Sequence, residues 1–175
     1  MLRTRGIVVA LLAAAAMSRA VDAQTVTGNI SRITRDAATS GCIGSSASPL
    51  CATETLLACF ARGDLDLCRK LGLDAARVPA NEAPVIEYVV ERVSIIRQEN
   101  ITDDLRELDW FKPGFALVEL QRRMCGTEPD ACESADWYDM QVYLRPTGAT
   151  WEVVTWRDAT ERDGAPEIPD AFLNR

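Results

Sequence analysis

The sequence predicts an α+β domain in which N-terminal helices pack on an antiparallel sheet. Three observations carry this. Leu50, Thr53, Leu56, Leu57 and Phe60 recur at three- and four-residue intervals early in the chain. Later segments alternate apolar and polar side chains with a period of two. Short connections join those segments, so neighbouring strands pair antiparallel and the helices before them cover their apolar face.

In chain order, residues 1–23 read as a secretory signal peptide. Arg3 and Arg5 form its positive end, Gly6–Met17 is an uncharged and mostly aliphatic run, and Val21-Asp22-Ala23 is a small-residue cleavage site before Gln24. The run is too short for a bilayer, which needs about 20 residues. Removal takes three Arg and one Asp and leaves a net charge of −9. Together with an Ala-rich signal and only two Lys, this predicts a periplasmic or secreted product, cut after Ala23. Residues 24–48, rich in Thr, Ser, Gly and Ala, read as a flexible lead-in.

Ser48-Pro49 opens the first helix and Gly63 closes it; Asp64 caps a second, Leu65–Leu71, stopped by Gly72. Pro79 and Pro84 bracket a loop. Val85–Gln98, dominated by Val and Ile, reads as strand, although Ile86, Val90 and Val93 also fit a helical spacing. Thr102–Asp109 predicts an acidic helical turn, and Trp110–Gly114 a tight turn. On the next strand Ala116, Val118, Leu120 and Met124 oppose Glu119, Gln121 and Arg123. On the one after it, Tyr138, Met140, Val142 and Leu144 oppose Asp139, Gln141 and Arg145. Pro146-Thr147-Gly148 turns the chain into a last strand, Trp151–Arg157. The domain is therefore set at 49–157, with 158–175 an irregular tail rich in Pro, Gly and acidic residues.

Composition removes several function classes. The absence of His excludes Ser-His-Asp and Cys-His nucleophile schemes and every imidazole zinc site. Twenty-six acidic against 19 basic residues exclude an extended phosphate-neutralising surface, hence no nucleic-acid partner. No G-x-S-x-G, G-x-G-x-x-G or phosphate loop occurs. The six Cys contain no C-x-x-C and fall into three close couples, predicting disulfides Cys42–Cys51, Cys59–Cys68 and Cys125–Cys132 and no metal site. The acidic cluster Asp103, Asp104, Glu107, Asp109 lacks the calcium-loop pattern, so no metal or other cofactor is expected.

Two groups remain as candidate sites. Glu87 and Glu91, four residues apart, would share a face, and paired carboxylates can split their pKa values into acid and base; with Tyr88 they are the residues an enzyme would draw on. Phe115, Trp137, Tyr143 and Trp151 fall mainly opposite the core face, predicting either an apolar interface patch for a homodimer or protein partner or burial under the C-terminal tail.

Two stretches resemble the nuclear-transport-factor-2-like superfamily, also called SnoaL-like or cystatin-like cone proteins. They are the helix corner Leu56-Leu57-Ala58-Cys59-Phe60-Ala61-Arg62-Gly63-Asp64-Leu65 and the closing hairpin Val142–Val153, with Trp151 after its Gly-containing turn. The resemblance spans about residues 50–157. It implies a curved sheet wrapping a long helix, often with a pocket and an outer face used for dimerisation. Members include isomerases, dehydratases, carriers and adaptors; the His-Asp pairs of the catalytic members have no counterpart here. The expected function is thus an exported non-catalytic module binding a protein partner or a small apolar ligand. The alternatives are a His-free lyase or isomerase using carboxylates and Tyr, and a structural envelope protein.

Overall fold

A computed structural model describes residues 24–25, 29–35, 41–78, 83–128 and 130–158. The expected signal peptide and most of the expected tail lie outside the described residues. The elements are β1 (Gln24–Thr25), β2 (Ser31–Thr34), α1 (Pro49–Arg62), α2 (Leu65–Lys70), β3 (Val85–Ile95), α3 (Asp103–Arg106), β4 (Ala116–Cys125), β5 (Tyr138–Thr147) and β6 (Thr150–Asp158). All strands pair antiparallel in one sheet ordered β3-β4-β5-β6, with β1 and β2 sharing the far edge of β3. This is an α+β fold on an open sheet, with α1 and α2 preceding its four long strands.

The segment 24–48, expected as a loose lead-in, is instead partly built into the fold. Ile33 is fully buried and β2 pairs with β3 residue for residue from Ser31↔Tyr88 to Thr34↔Val85. A lone apolar residue in a polar run gives little periodic signal; the edge of β3 supplies the pairing that makes it a strand. Residues 41–48 then fold over α1. Thr55 donates its hydroxyl to the Ser45 carbonyl at 2.8 Å and accepts from the Gly44 N–H at 3.0 Å.

α1 forms as its sequence dictates. Ser48 accepts from the Cys51 N–H, Pro49 occupies the first turn, and Gly63 ends the helix in the left-handed conformation at φ 61°. A 14-residue helix is about 21 Å long, enough to cross four inter-strand spacings of about 4.8 Å. It accordingly touches β2, β3, β4 and β6 on one face of the sheet, here called the inner face. Every residue from Ala52 to Ala61 is buried, so the helix is enclosed on all sides rather than amphipathic. Leu56, Leu57 and Phe60 meet Ile86, Tyr88, Val118, Leu120, Val142 and Leu144 in the main core.

At the corner, Asp64 accepts from the backbone N–H groups of Asp66 and Leu67 and so starts α2. Disulfides join Cys42–Cys51, Cys59–Cys68 and Cys125–Cys132: one ties 41–48 to α1, one ties α1 to α2, and one closes the β4–β5 connection. The outer edge of β6 is occupied by the chain itself. Trp151 and Val153 donate their N–H groups to the carbonyls of Ser46 and Leu71, at 2.8 and 2.9 Å, and Arg77 donates to the Val154 carbonyl at 2.6 Å. Over this stretch the ladder that could template another strand is already filled.

Two bulges set which side chains face which way. In β3 the register shifts between Val90 and Arg92, so Ile86, Tyr88 and Val90 face inward before Glu91, and Val93 and Ile95 after it. In β6 the extra residue Val154 lets Trp151, Val153 and Trp156 all pack inward. The outer face carries a second, smaller core. Residues 96–115, the β3–β4 connection, leave the sheet and fold back on it; Ile96 and Phe115 close their base through Ile96 N–H to Phe115 O and Gly114 N–H to Ile96 O, both 2.8 Å. Leu105 from α3 and Phe111 bury against Leu117 and Tyr143, with Trp110 and Phe115 half-buried beside them. Such an excursion holds itself down by its own side chains.

Candidate functional site

Neither candidate group assembles as the sequence suggested. Glu87 faces outward, where Arg123 pairs with it at 2.7 Å and Arg32 at 3.7 Å. Glu91 sits at the β3 bulge and is exposed. Tyr88 faces the opposite way, into the core, and donates to the Glu54 carboxylate of α1 at 2.7 Å. Burial, then Glu54, pushes its phenol well above the usual range, so it is held as a neutral donor. The expected acid–base pair is therefore not a pair: the bulge breaks the period that would have aligned the two carboxylates, and Arg123 takes one of them.

The expected apolar patch is also not exposed. Tyr143 is fully buried under the 96–115 excursion, its ring 4.7 Å from Trp110 and 6.2 Å from Phe111. Phe115 belongs to the same cluster. Trp151 lies on the inner face, because it is two residues from the core residue Val153 and strand alternation places both on one side. Trp137 does lie outward, with the Arg123 guanidinium 4.8 Å from its ring centre.

What the structure brings together is the outer-face row that the alternation on β4 and β5 had marked only as polar. Arg92, Glu119, Gln141 and Arg157 are successive cross-strand partners on β3, β4, β5 and β6. Arg92 Nε lies 3.4 Å from Glu119 Oε2, an oxygen that is buried and accepts no hydrogen bond. Gln141 accepts the Tyr143 hydroxyl proton at 3.0 Å through its carbonyl oxygen. Arg157 packs over the Trp110 ring at 5.7 Å. One step along the strands, Gln121 donates to Asp139 at 3.2 Å, and beyond it stand Arg123, Glu87 and Trp137. Two Arg–Trp stacks thus bracket a polar centre on an antiparallel sheet, with the 96–115 excursion as a wall on one side.

The electrostatics of this row are set by partial burial. Loss of water raises the Glu119 carboxyl above the usual carboxylate range, and the Glu91 charge adds to this, against the opposing pull of Arg92 and the Gln141 amide. Burial likewise raises the Tyr143 phenol. Because the folded-state value of Glu119 is raised, the native chain holds more protons than the unfolded chain at mildly acidic pH. The stability Glu119 contributes is fully present below the unfolded carboxylate pKa and is lost as pH rises through the folded value. Glu119→Gln should therefore melt above the wild type at neutral pH, with the difference shrinking toward acid; calorimetric scans across pH measure it, and an equal offset at every pH would contradict the assignment.

Among the described residues, one group places three metal-ligating atoms within 4.8 Å of one another: Glu87, Cys125 and Cys132. The two sulfurs are bonded to each other and the carboxylate is bonded to Arg123, so the donor set does not fit a cation. On the inner face the buried polar groups include Glu54, Tyr88 and Arg122; Arg122 donates to both Asp158 oxygens at 3.1 and 2.9 Å, and Tyr88 to Glu54. The first pair joins β4 to β6 and the second joins α1 to β3, and both are structural in form. No helix among the described residues is long and apolar enough to cross a membrane. No protein-family model matches the chain, and no curated protein or solved structure does either.

Proposed function

We propose that this chain is an exported, non-catalytic module that binds a protein partner through the outer face of its sheet. The carrying observation is that face itself. Arg92, Glu119, Gln121, Asp139, Gln141 and Arg157 lie in register across four strands, flanked by the Arg157–Trp110 and Arg123–Trp137 stacks. Arg and Trp are the residues that most often anchor protein interfaces, and planar guanidinium, amide and carboxylate groups supply directional hydrogen bonds around them. A protein partner is favoured over a small apolar ligand because Leu56, Leu57, Phe60, Ile86, Val118, Val142 and Leu144 fill the space between α1 and the sheet. The buried helix under a closing hairpin supports the cone architecture of the nuclear-transport-factor-2-like superfamily as the frame of this reading.

Three disulfides support an oxidising compartment, and an N-terminal signal peptide would deliver the chain there. The test is the size of the chain's native complex in the exported fraction. The wild type should elute in a species larger than the chain alone. The triple variant Arg92→Ala, Trp137→Ala, Arg157→Ala should elute as the single chain with its melting temperature within a few degrees. Wild type eluting as the single chain, or a variant retained in the larger species, overturns the proposal. Light scattering on purified protein tells a second copy from a different partner.

A further inference from the structure

We infer that the protonation state of Glu119 is transmitted to the 96–115 excursion through Gln141 and Tyr143. The path consists of contacts between adjacent residues. Tyr143 donates its hydroxyl to the Gln141 carbonyl oxygen at 3.0 Å. An amide carries its oxygen on one side and its two N–H donors on the other, so this bond aims the donors away from Tyr143. On that side lies Glu119, the cross-strand partner of Gln141, whose anion the amide stabilises. One amide orientation therefore satisfies both neighbours while Glu119 is ionised.

A proton taken by Glu119 from water turns an acceptor into an O–H donor. Turning the Gln141 amide over brings its oxygen to that donor and its N–H groups to Tyr143, whose hydroxyl then accepts where it had donated. Arg92, at 3.4 Å, loses its countercharge in the same event. The Tyr143 ring is the floor on which Trp110 and Phe111 rest, and Arg157 touches both the Tyr143 hydroxyl and the Trp110 ring. The groups facing Glu119 are thus Arg92 and Glu91 from β3, Gln141 and Tyr143 from β5, and, through Tyr143, Arg157 from β6. A partly buried carboxyl among these groups changes state closer to neutrality than an exposed one, where an exported protein can meet the change. The relay lies on the face proposed for binding but needs no partner, so each idea can fail alone.

The experiment follows two nuclei in the intact, oxidised chain by NMR between about pH 4 and pH 8: the Glu119 carboxyl carbon and the Trp110 indole N–H. In the wild type both signals should shift with one common midpoint. In Gln141→Leu and in Tyr143→Phe, which keeps the ring under Trp110, the Glu119 signal should still titrate while Trp110 stays flat. In Glu119→Gln, Trp110 should stay flat as well. A wild-type Trp110 signal that does not move with Glu119 overturns the inference. So does a Trp110 transition that survives in Gln141→Leu and Tyr143→Phe, or in Glu119→Gln, since another acid such as Asp109 would then be its source.

Discussion

Reduction of the three disulfides should unfold this chain at room temperature without any denaturant. Each bridge closes a short loop, with sequence separations of 9, 9 and 7 residues. Restricting the unfolded chain over such loops contributes about 2.5 kcal/mol per bridge, or about 8 kcal/mol together. That is comparable to the whole stability of an ordinary domain, about 5–15 kcal/mol. The bridges are not equivalent. Cys59 and Cys68 are both almost fully buried where α1 meets α2, so their removal also leaves a gap in the main core. Cys125–Cys132 closes a surface connection over its own small cluster with Val85. The paired variant Cys59→Ala, Cys68→Ala should therefore lose more than Cys125→Ala, Cys132→Ala, by several degrees in melting temperature. Circular dichroism with and without reductant measures the full effect; a reduced chain that keeps a cooperative transition within a few degrees of the oxidised one would contradict it.

Arg122→Ala should be the most costly substitution of a charged residue on the sheet. The guanidinium is almost fully buried and both Asp158 oxygens accept from it. Removing one member of a buried ion pair leaves the other charge without compensation, typically 3–5 kcal/mol. Asp158 keeps 27% of its side chain in solvent, which places the loss near the lower end, about 3 kcal/mol. For a domain of this size that is roughly 10 °C in melting temperature. Arg122→Met, which keeps an apolar stem, should lose almost as much. Arg122→Met combined with Asp158→Leu should recover most of it, because an apolar pair of similar volume removes the desolvation cost of both charges. If the double substitution were as unstable as Arg122→Ala, the loss would come from packing around the stem and not from the pair.

The legible and illegible parts of this fold separate on physical grounds. The α1 caps, the Gly63 corner and the alternation on β4 and β5 are local, written within a few residues, and the structure carries them at the predicted positions. The helical spacing of Ile86, Val90 and Val93 has a different origin: the bulge after Val90 shifts the inward parity by one residue, so a strand acquires seven-residue spacing between inward positions. Periodicity alone does not distinguish that from a helix; the Val and Ile content does. Strand β2 was hidden because its pairing edge lies more than fifty residues away. The burial of Glu54 and Thr55 was hidden because their partners lie on other segments, β3 and 41–48, while Thr53 bonds back to the Pro49 carbonyl.

The site divides the same way. Glu119, Gln121, Arg123, Asp139 and Gln141 stand out in the sequence as the polar face of two strands, but such a face ordinarily points to water and asks for nothing. What makes this one unusual is the excursion folded beside it, which buries Tyr143 and brings Trp110 to Arg157. Sequence alternation placed Tyr143 and Phe115 on the correct side; it could not show that Leu105 and Phe111 would cover them, since that contact joins segments separated by a self-folded loop.

The outer-face assignment is tested most directly by photo-crosslinking the protein from two positions, Gln121 on that face and Leu120, its inward-facing neighbour. One discrete adduct should form from position 121 and none from position 120. An adduct from position 120 alone would place the working surface between α1 and the sheet and contradict it.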